Sequence, residues 1–133
     1  MVGIIIVSHG NYAEALYESI KMLHGEQEKI ETINFKTGES TEDLKEKINS
    51  AKDRLKTEYT LILVDILGGS PYNVSSLEID EKVNVITGFN MPMLLDIISR
   101  RNEPLGLISK AAKRAGKNGI VDVKEKLSEK INK

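Results

Sequence analysis

Short runs of apolar residues recur along the chain and predict the strands of an α/β protein. Val2–Val7 and Thr60–Asp65 are almost continuous apolar runs, which is typical of strands buried on both faces of a parallel sheet. Ile30–Phe35 and Val83–Thr87 predict two further strands, and Gly119–Val123 predicts a short strand near the end of the sequence. The chain therefore supplies four or five strands for one sheet.

Between these runs the apolar residues change to spacings of three and four, which predict helices. Gly25 closes the first helix, and the charged segment 124–133 predicts an amphipathic helix with a solvated face. Five helices, the first one included, are predicted to begin at residues that cap helices or form turns. These residues are Asn11, Ser40 with Asp43, Ser70 with Pro71 at the first helical position, Pro92 and Pro104. The last of these helices is predicted to extend to Ala115.

Strands that alternate with helices predict right-handed crossovers and a doubly wound α/β fold with helices on both faces of a mainly parallel sheet. We expect the strand order 2-1-3-4, with Gly119–Val123 as a short antiparallel strand at one edge. The sequence contains no repeat, low-complexity tract or linker, so residues 1–133 are predicted to form a single domain.

The composition of the chain argues against several classes of function: nucleic-acid binding, metal or cofactor chemistry, and a membrane-spanning role are not expected. The 133 residues are 40% apolar and 29% charged, with a formal net charge of -1, which does not favour binding to nucleic acid. There is no cysteine and there are two histidines, so we expect no metal site and no cofactor. The apolar runs are too short to cross a bilayer, and we expect a cytoplasmic protein.

Polar residues follow the first and third predicted strands, at the edge where parallel sheets bind ligands. In the order 2-1-3-4 these strands are neighbours, so His9 and Asp65 are expected to face each other. A carboxylate that accepts from one ring N–H fixes the tautomer and leaves the other nitrogen free as a base or nucleophile. The second histidine, His24, lies at a predicted helix end and is expected to have a surface role.

Glycines and small polar residues surround this pair in the sequence and predict a phosphoryl-binding pocket. Glycine permits close backbone approach, and helix N-termini offer unpaired N–H groups to an anion. The predicted phosphate-binding residues are Gly10, Gly68, Gly69 and Ser70, and the predicted supporting residues are Asn11, Asn73 and Asn90. The glycines of such a turn more often permit a tight backbone conformation than bind phosphate. The prediction of a phosphate site therefore depends on the nearby His9.

Four separated motifs together resemble one family. They are Val7–Gly10, Gly25–Gln27, Leu63–Asp65 with Gly68–Pro71 and Asn73, and Gly88–Leu94. In this order they are similar to the IIA component of the mannose family of the bacterial sugar phosphotransferase system, and the similarity runs from residue 2 to about residue 123.

The resemblance implies a phosphohistidine carrier. His9 would take a phosphoryl group from phospho-HPr and pass it to a IIB protein, which serves a membrane IIC/IID permease. In that family the residue matching Asp65 orients the histidine, and the one matching Ser70 helps to hold the phosphoryl group. The family forms homodimers in which a C-terminal strand, matched here by Gly119–Val123, packs on the partner's sheet. We expect IIB to be a separate protein, docking at a rim of exposed apolar residues: Ile66, Leu67, Phe89 and Met91.

Three other interpretations remain open. A receiver domain would carry its phosphorylated aspartate at Asp65, but it needs carboxylates where Ser8–Gly10 stand. A regulatory module would bind an anion at the glycine turns without covalent labelling. The IIA-like subunit of a dihydroxyacetone kinase also uses an early histidine, although Gly68–Pro71 and Asn90–Pro92 favour the sugar-transport family.

Overall fold

The computed structural model describes residues 1–131 and contains a parallel β-sheet between two layers of helices. The strands in this part of the chain are β1 (Gly3–His9), β2 (Ile30–Phe35), β3 (Thr60–Val64) and β4 (Val83–Thr87). They are hydrogen-bonded in the order β2-β1-β3-β4, and every neighbouring pair is parallel. The predicted doubly wound fold and its strand order are confirmed.

Helices connect the strands and cover both faces. Their bounds are α1 (Tyr12–His24), α2 (Thr41–Leu55), α3 (Gly69–Ser76), α4 (Met91–Ile98), α5 (Leu105–Asn118) and α6 (Val123–Ile131). On one face, Ile4, Ile6 and Leu63 pack with α1, α4 and α5. On the other face, Ile5 and Val7 pack with α2 and α3. Alternate side chains of the central strands thus enter two separate cores, which explains their unbroken apolar runs.

Capping side chains fix the starts of α2 and α4, and the cap of α2 is the one that the sequence predicts. Ser40 Oγ accepts from the Asp43 N–H at 3.1 Å, and the Asp43 carboxylate accepts from the Ser40 N–H at 3.0 Å. The Asn90 side chain accepts from the Met93 N–H at 3.0 Å and so caps α4. These caps satisfy backbone donors that lack partners in the first helical turn.

The start of α1 differs from the prediction in one respect. Asn11 occupies the N-cap position, but its side chain makes no capping hydrogen bond. The buried hydroxyl of Ser8 accepts from the Ala13 N–H at 2.7 Å instead. The last buried residue of β1 therefore holds the helix that follows, and it ties α1 to the strand end that carries His9.

The prediction that Ser70 caps α3 is wrong, because α3 already begins at Gly69, with Gly68 as its N-cap residue. Gly68 and Gly69 have φ angles of 92° and 83°, which favour glycine. The turn between strand and helix is therefore completed by the two glycines, and Ser70 lies inside the first helical turn. Helix α5 also runs three residues past the predicted end and stops at Asn118.

The predicted strand at Gly119–Val123 is not formed among the described residues. Ile120–Asp122 has no regular structure, and Val123 begins α6. Asp122 caps this helix, because its side chain accepts from the Glu125 N–H at 3.1 Å. The β-branched residues that predicted a strand are exposed and pair with no strand of the same chain, so the local capping signal prevails. Residues 132 and 133 of the predicted tail helix lie outside the described part.

A buried arginine closes the amino edge of the sheet, at the opposite end from His9. The Arg101 guanidinium donates to the Val2 carbonyl at 2.8 and 3.1 Å and to the Lys29 carbonyl at 3.1 Å. Burial lowers the pKa of Arg101. A cavity of about 1050 Å³ also lies at this edge and is lined in part by Val2, Tyr59 and Arg101. In residues 1–131 no helix has both the length and the hydropathy needed to cross a bilayer.

Candidate functional site

His9 and Asp65 meet at the carboxyl edge of the sheet, as the sequence predicts. The Nδ1 atom of His9 lies 2.8 Å from Oδ2 of Asp65. The same carboxylate oxygen accepts the backbone N–H of His9 at 3.0 Å, and Oδ1 accepts the Ile66 N–H at 3.1 Å. Because an ionised carboxylate can only accept, Nδ1 carries the ring proton and Nε2 keeps a free lone pair.

The register of the sheet produces this pairing. Val7 of β1 lies opposite Val64, the last residue of β3. His9 at the end of β1 and Asp65 directly after β3 therefore lie at the same edge of the sheet. The Asp65 side chain is 12% exposed, whereas the His9 side chain is 51% exposed. The carboxylate is therefore fixed in the protein, and the nucleophilic nitrogen is accessible to a reaction partner.

The glycine turn lies against the imidazole. A Cβ atom at Gly69 would stand 3.3 Å from Cε1 and 3.4 Å from Nε2 of His9. Glycine is needed here because its φ is positive and because a larger residue would crowd the ring. The N-terminus of α3 consequently begins beside Nε2, where its free N–H groups and partial positive charge suit an anion.

Ser70 and Asn73 lie on the first turns of α3, immediately after this glycine contact. Ser70 is half-buried and Asn73 is exposed. Pro71 has no N–H, so the donors at this helix end come from its other first-turn residues. A role for the hydroxyl and the amide near an oxyanion bound at His9 stays a prediction.

Other predicted site residues are engaged elsewhere. The Gly10 N–H donates to the Phe35 carbonyl at 2.9 Å, so that donor is used in a bond to the end of β2. The Asn11 side chain accepts from Asn34 at 3.4 Å. Asn90 caps α4 and also donates to the Gly116 carbonyl at 3.0 Å, so both ends of its amide hold helices together.

His24 lies at the far end of α1, about 20 Å of helix from the start of that element. Its side chain is exposed. It therefore lies apart from the pair formed by His9 and Asp65. In residues 1–131 no three His, Cys, Asp or Glu side chains come together as ligands for a metal ion.

Sequence reasoning missed Phe35, the last residue of β2. Its ring is nearly perpendicular to the His9 ring, at 77°, with the ring centroids 6.2 Å apart. The register pairs Phe35 with His9. The predicted order places these strands side by side, but only the register, which the sequence does not reveal, brings the two rings together.

The apolar rim is only partly as predicted. Ile66 and Leu67 are exposed directly after Asp65, and Met91 is half-buried. Phe89 is buried and stacks on Tyr12 with ring centroids 4.8 Å apart, so its predicted place on the rim is wrong. The exposed apolar surface beside the site is thus concentrated in the loop between β3 and α3.

Comparisons with known proteins agree with this fold. The family described as "PTS system fructose IIA component" (EIIA-man) matches residues 3–112. The fructose-specific EIIA component of Bacillus subtilis is 38% identical over 104 residues, covering 76% of this chain and 71% of the relative. The mannose-specific EIIAB component of Escherichia coli is 37% identical over 134 residues, covering 97% of this chain, which spans only 42% of that relative.

A solved structure is also similar along almost the whole chain. The phosphotransferase system component EIIA from Streptococcus agalactiae has a TM-score of 0.86 at 32% identity, covering 94% of this chain and 99% of that one. Fold and similarity together define a component of the sugar phosphotransferase system. The chain belongs to the mannose family of EIIA components.

Proposed function

We propose that the protein is a phosphohistidine carrier in which Nε2 of His9 accepts a phosphoryl group from phospho-HPr and passes it to a IIB protein. The observation that carries this proposal is the 2.8 Å contact between His9 Nδ1 and Asp65. It fixes the tautomer in which Nε2 is the nucleophile. The family supports the same chemistry.

The transfer consumes neither water nor a proton. The Nε2 lone pair forms a bond to phosphorus while the bond to the donor nitrogen breaks, and the leaving nitrogen keeps that electron pair. The His9 ring gains positive charge as the new bond forms, and its Nδ1–H remains bonded to the Asp65 carboxylate, which stabilises that charge. The same events in reverse order deliver the group to IIB.

The start of α3 is proposed to hold the phosphoryl oxygens. The Gly69 backbone lies next to Nε2, and the first-turn N–H groups of a helix are natural donors to phosphate. Ser70 adds a hydroxyl donor, and Gly68 lets the backbone make the turn. Transfer without hydrolysis requires that no side chain activates water at this position.

We propose that HPr and IIB dock over the exposed loop after Asp65. Leu67, 71% exposed, is the test position, because a charge there would be buried by a partner. Leu67→Glu should slow transfer from phospho-HPr at least about tenfold. Leu77→Glu is the matched control, since Leu77 is 72% exposed at the end of α3. Equal transfer rates in both variants contradict this docking surface.

The remaining parts of the proposal follow the family. Residues 1–133 act as one EIIA domain in the cytoplasm, and the domain assembles as a homodimer. The exposed apolar side chains of Ile120, Val121 and Val123 support self-association, because a second copy would cover them. Its link to the membrane permease is indirect, through IIB.

The test is phosphorylation of the purified protein by phosphoenolpyruvate, enzyme I and HPr. We expect acid-labile phosphate on the wild type and on His24→Ala, and none on His9→Ala. Labelling by a dihydroxyacetone kinase system in place of IIB transfer would favour that alternative. Phosphate binding without labelling would favour the anion-binding module, and both outcomes contradict the proposal.

A further inference from the structure

Phe35 contacts the His9 side chain from β2, on one side of β1, whereas Asp65 and Gly69 follow β3, on the other side of β1. The two rings are nearly perpendicular, with centroids 6.2 Å apart, a geometry that aromatic pairs favour. Phe35 is itself anchored, because it is half-buried and packs against the core between the sheet and α2. Its carbonyl also accepts the Gly10 N–H at 2.9 Å, which ties it to the residue after His9.

His9 needs such a contact because half of its side chain is exposed. The hydrogen bond from Nδ1 to Asp65 fixes one ring atom, but it leaves the ring able to tilt about that bond. Gly69 limits movement on the side of Cε1 and Nε2 only. The anchored ring of Phe35 restricts this tilt from another side of the imidazole and so keeps the Nε2 lone pair in one orientation.

We propose that Phe35 is a positioning residue for His9, which holds the imidazole in the orientation that keeps Nδ1 on Asp65 and Nε2 toward an incoming phosphoryl group. The orientation of His9 by Phe35 concerns the unphosphorylated protein. The effect of that orientation on phosphoryl transfer rests on the proposed function. No group is transferred to or from Phe35.

The experiment compares Phe35→Leu with Phe35→Tyr and Val85→Ala. Phe35→Leu keeps an apolar side chain without the ring, and Phe35→Tyr keeps the ring. Val85 is a partly buried member of the same core on β4, so Val85→Ala controls for a small loss of packing. The readouts are the His9 tautomer, from long-range ¹H–¹⁵N correlation spectra of the unphosphorylated protein, and the initial rate of phosphorylation by phospho-HPr.

We expect a single His9 tautomer with the proton on Nδ1 in the wild type, in Phe35→Tyr and in Val85→Ala, and a mixture in Phe35→Leu. Phosphorylation of Phe35→Leu should be roughly three- to tenfold slower. A wild-type His9 spectrum in Phe35→Leu, or the same mixture in Val85→Ala, overturns the inference. If the wild type accepts no phosphoryl group, the proposed function fails, while the spectra still decide the role of Phe35.

Discussion

One carboxylate organises the candidate site at the scale of single residues. Asp65 accepts the ring Nδ1–H and the backbone N–H of His9, and also the N–H of Ile66. Its orientation is therefore fixed by the backbone of two strand ends, and the His9 tautomer is fixed by Asp65. In the proposed function, the reactivity of the exposed imidazole depends on a partner that is mostly buried.

Asp65→Asn tests this dependence with little change in shape. An amide can donate to Nδ1 and so favour the tautomer with the proton on Nε2, which removes the nucleophilic lone pair. We expect phosphorylation of His9 to slow by about 10²- to 10⁴-fold. The measurement is the initial rate with phospho-HPr, with circular dichroism to confirm the fold. A rate within about threefold of the wild type contradicts this role of the carboxylate.

Gly69→Ala separates crowding of His9 from backbone strain. The added Cβ would stand 3.3 to 3.4 Å from the imidazole at a φ of 83°. Gly38→Ala is the matched control, because Gly38 has a φ of 90° and open space around it. Both variants should lose about 1 kcal/mol of stability in denaturant unfolding. Only Gly69→Ala should also slow phosphorylation, by about tenfold. Equal rates in the two variants would show that the close contact has no consequence.

At the scale of elements, most helices and strands follow from local signals. The apolar runs predict all four described strands, and the capping residues Ser40 and Asp43 predict the start of α2. The segment 119–123 has β-branched residues but no neighbouring strand, and Asp122 begins a helix there instead. Strand propensity depends on pairing partners, whereas a helix cap acts within a few residues, so local patterns predict caps better than edge strands.

The candidate site was predictable from the sequence only in part. The pair His9 and Asp65 follows from residue types at two strand ends and a common strand order. The contact of Phe35 with His9 depends on the register of β2 against β1, which a pattern of half-buried residues specifies only weakly. Which backbone donors stay free also depends on the fold, as the bond between Gly10 and Phe35 shows.

The capping box of α2 predicts part of the acid sensitivity of the fold. Hydrogen bonds from the backbone N–H and the hydroxyl of Ser40 hold the pKa of the Asp43 carboxyl below its ordinary value of 3.8. A carboxyl with a lowered folded-state pKa stabilises the fold above its unfolded-state pKa. That stabilisation is lost as the pH falls through the folded-state value.

Asp43→Asn should therefore lower the Tm near neutral pH and lose less stability than the wild type as the pH falls from 5 to below 3.8. Glu42→Gln is the control, because it removes a charge from the same helical turn without removing a capping bond. The measurement is thermal unfolding at a series of pH values. If the Asp43→Asn and wild-type curves run parallel through this range, the capping box contributes nothing to acid sensitivity.

At the scale of the whole molecule, the C-terminal segment is exposed and begins beside α4, since a Cβ atom at Gly119 would meet the Pro92 side chain. Ile120 is 79% exposed and Val123 is 62% exposed. One chain contains both members of the pair, so the site does not need a second copy to supply His9 or Asp65. Self-association and the resting geometry of the site can therefore be tested separately.

Removal of residues 120–133 tests the proposed homodimer. Light scattering should give about twice the 14.8 kDa chain mass for the full-length protein and a single chain for the truncated one. The truncated protein should keep its fold, because the side chains of 120–130 are exposed and add little to the cores. A full-length protein that stays monomeric at micromolar concentration contradicts the proposed assembly.

The proposed function requires that the phosphoryl group bonds to Nε2 of His9 because Asp65 holds Nδ1. The most direct measurement is the ³¹P–¹⁵N coupling in uniformly ¹⁵N-labelled protein that has been phosphorylated through HPr. We predict one phosphohistidine, with the coupling on Nε2 of His9 and the proton retained on Nδ1. Coupling on Nδ1 of His9, or on a nitrogen of His24, would contradict the account.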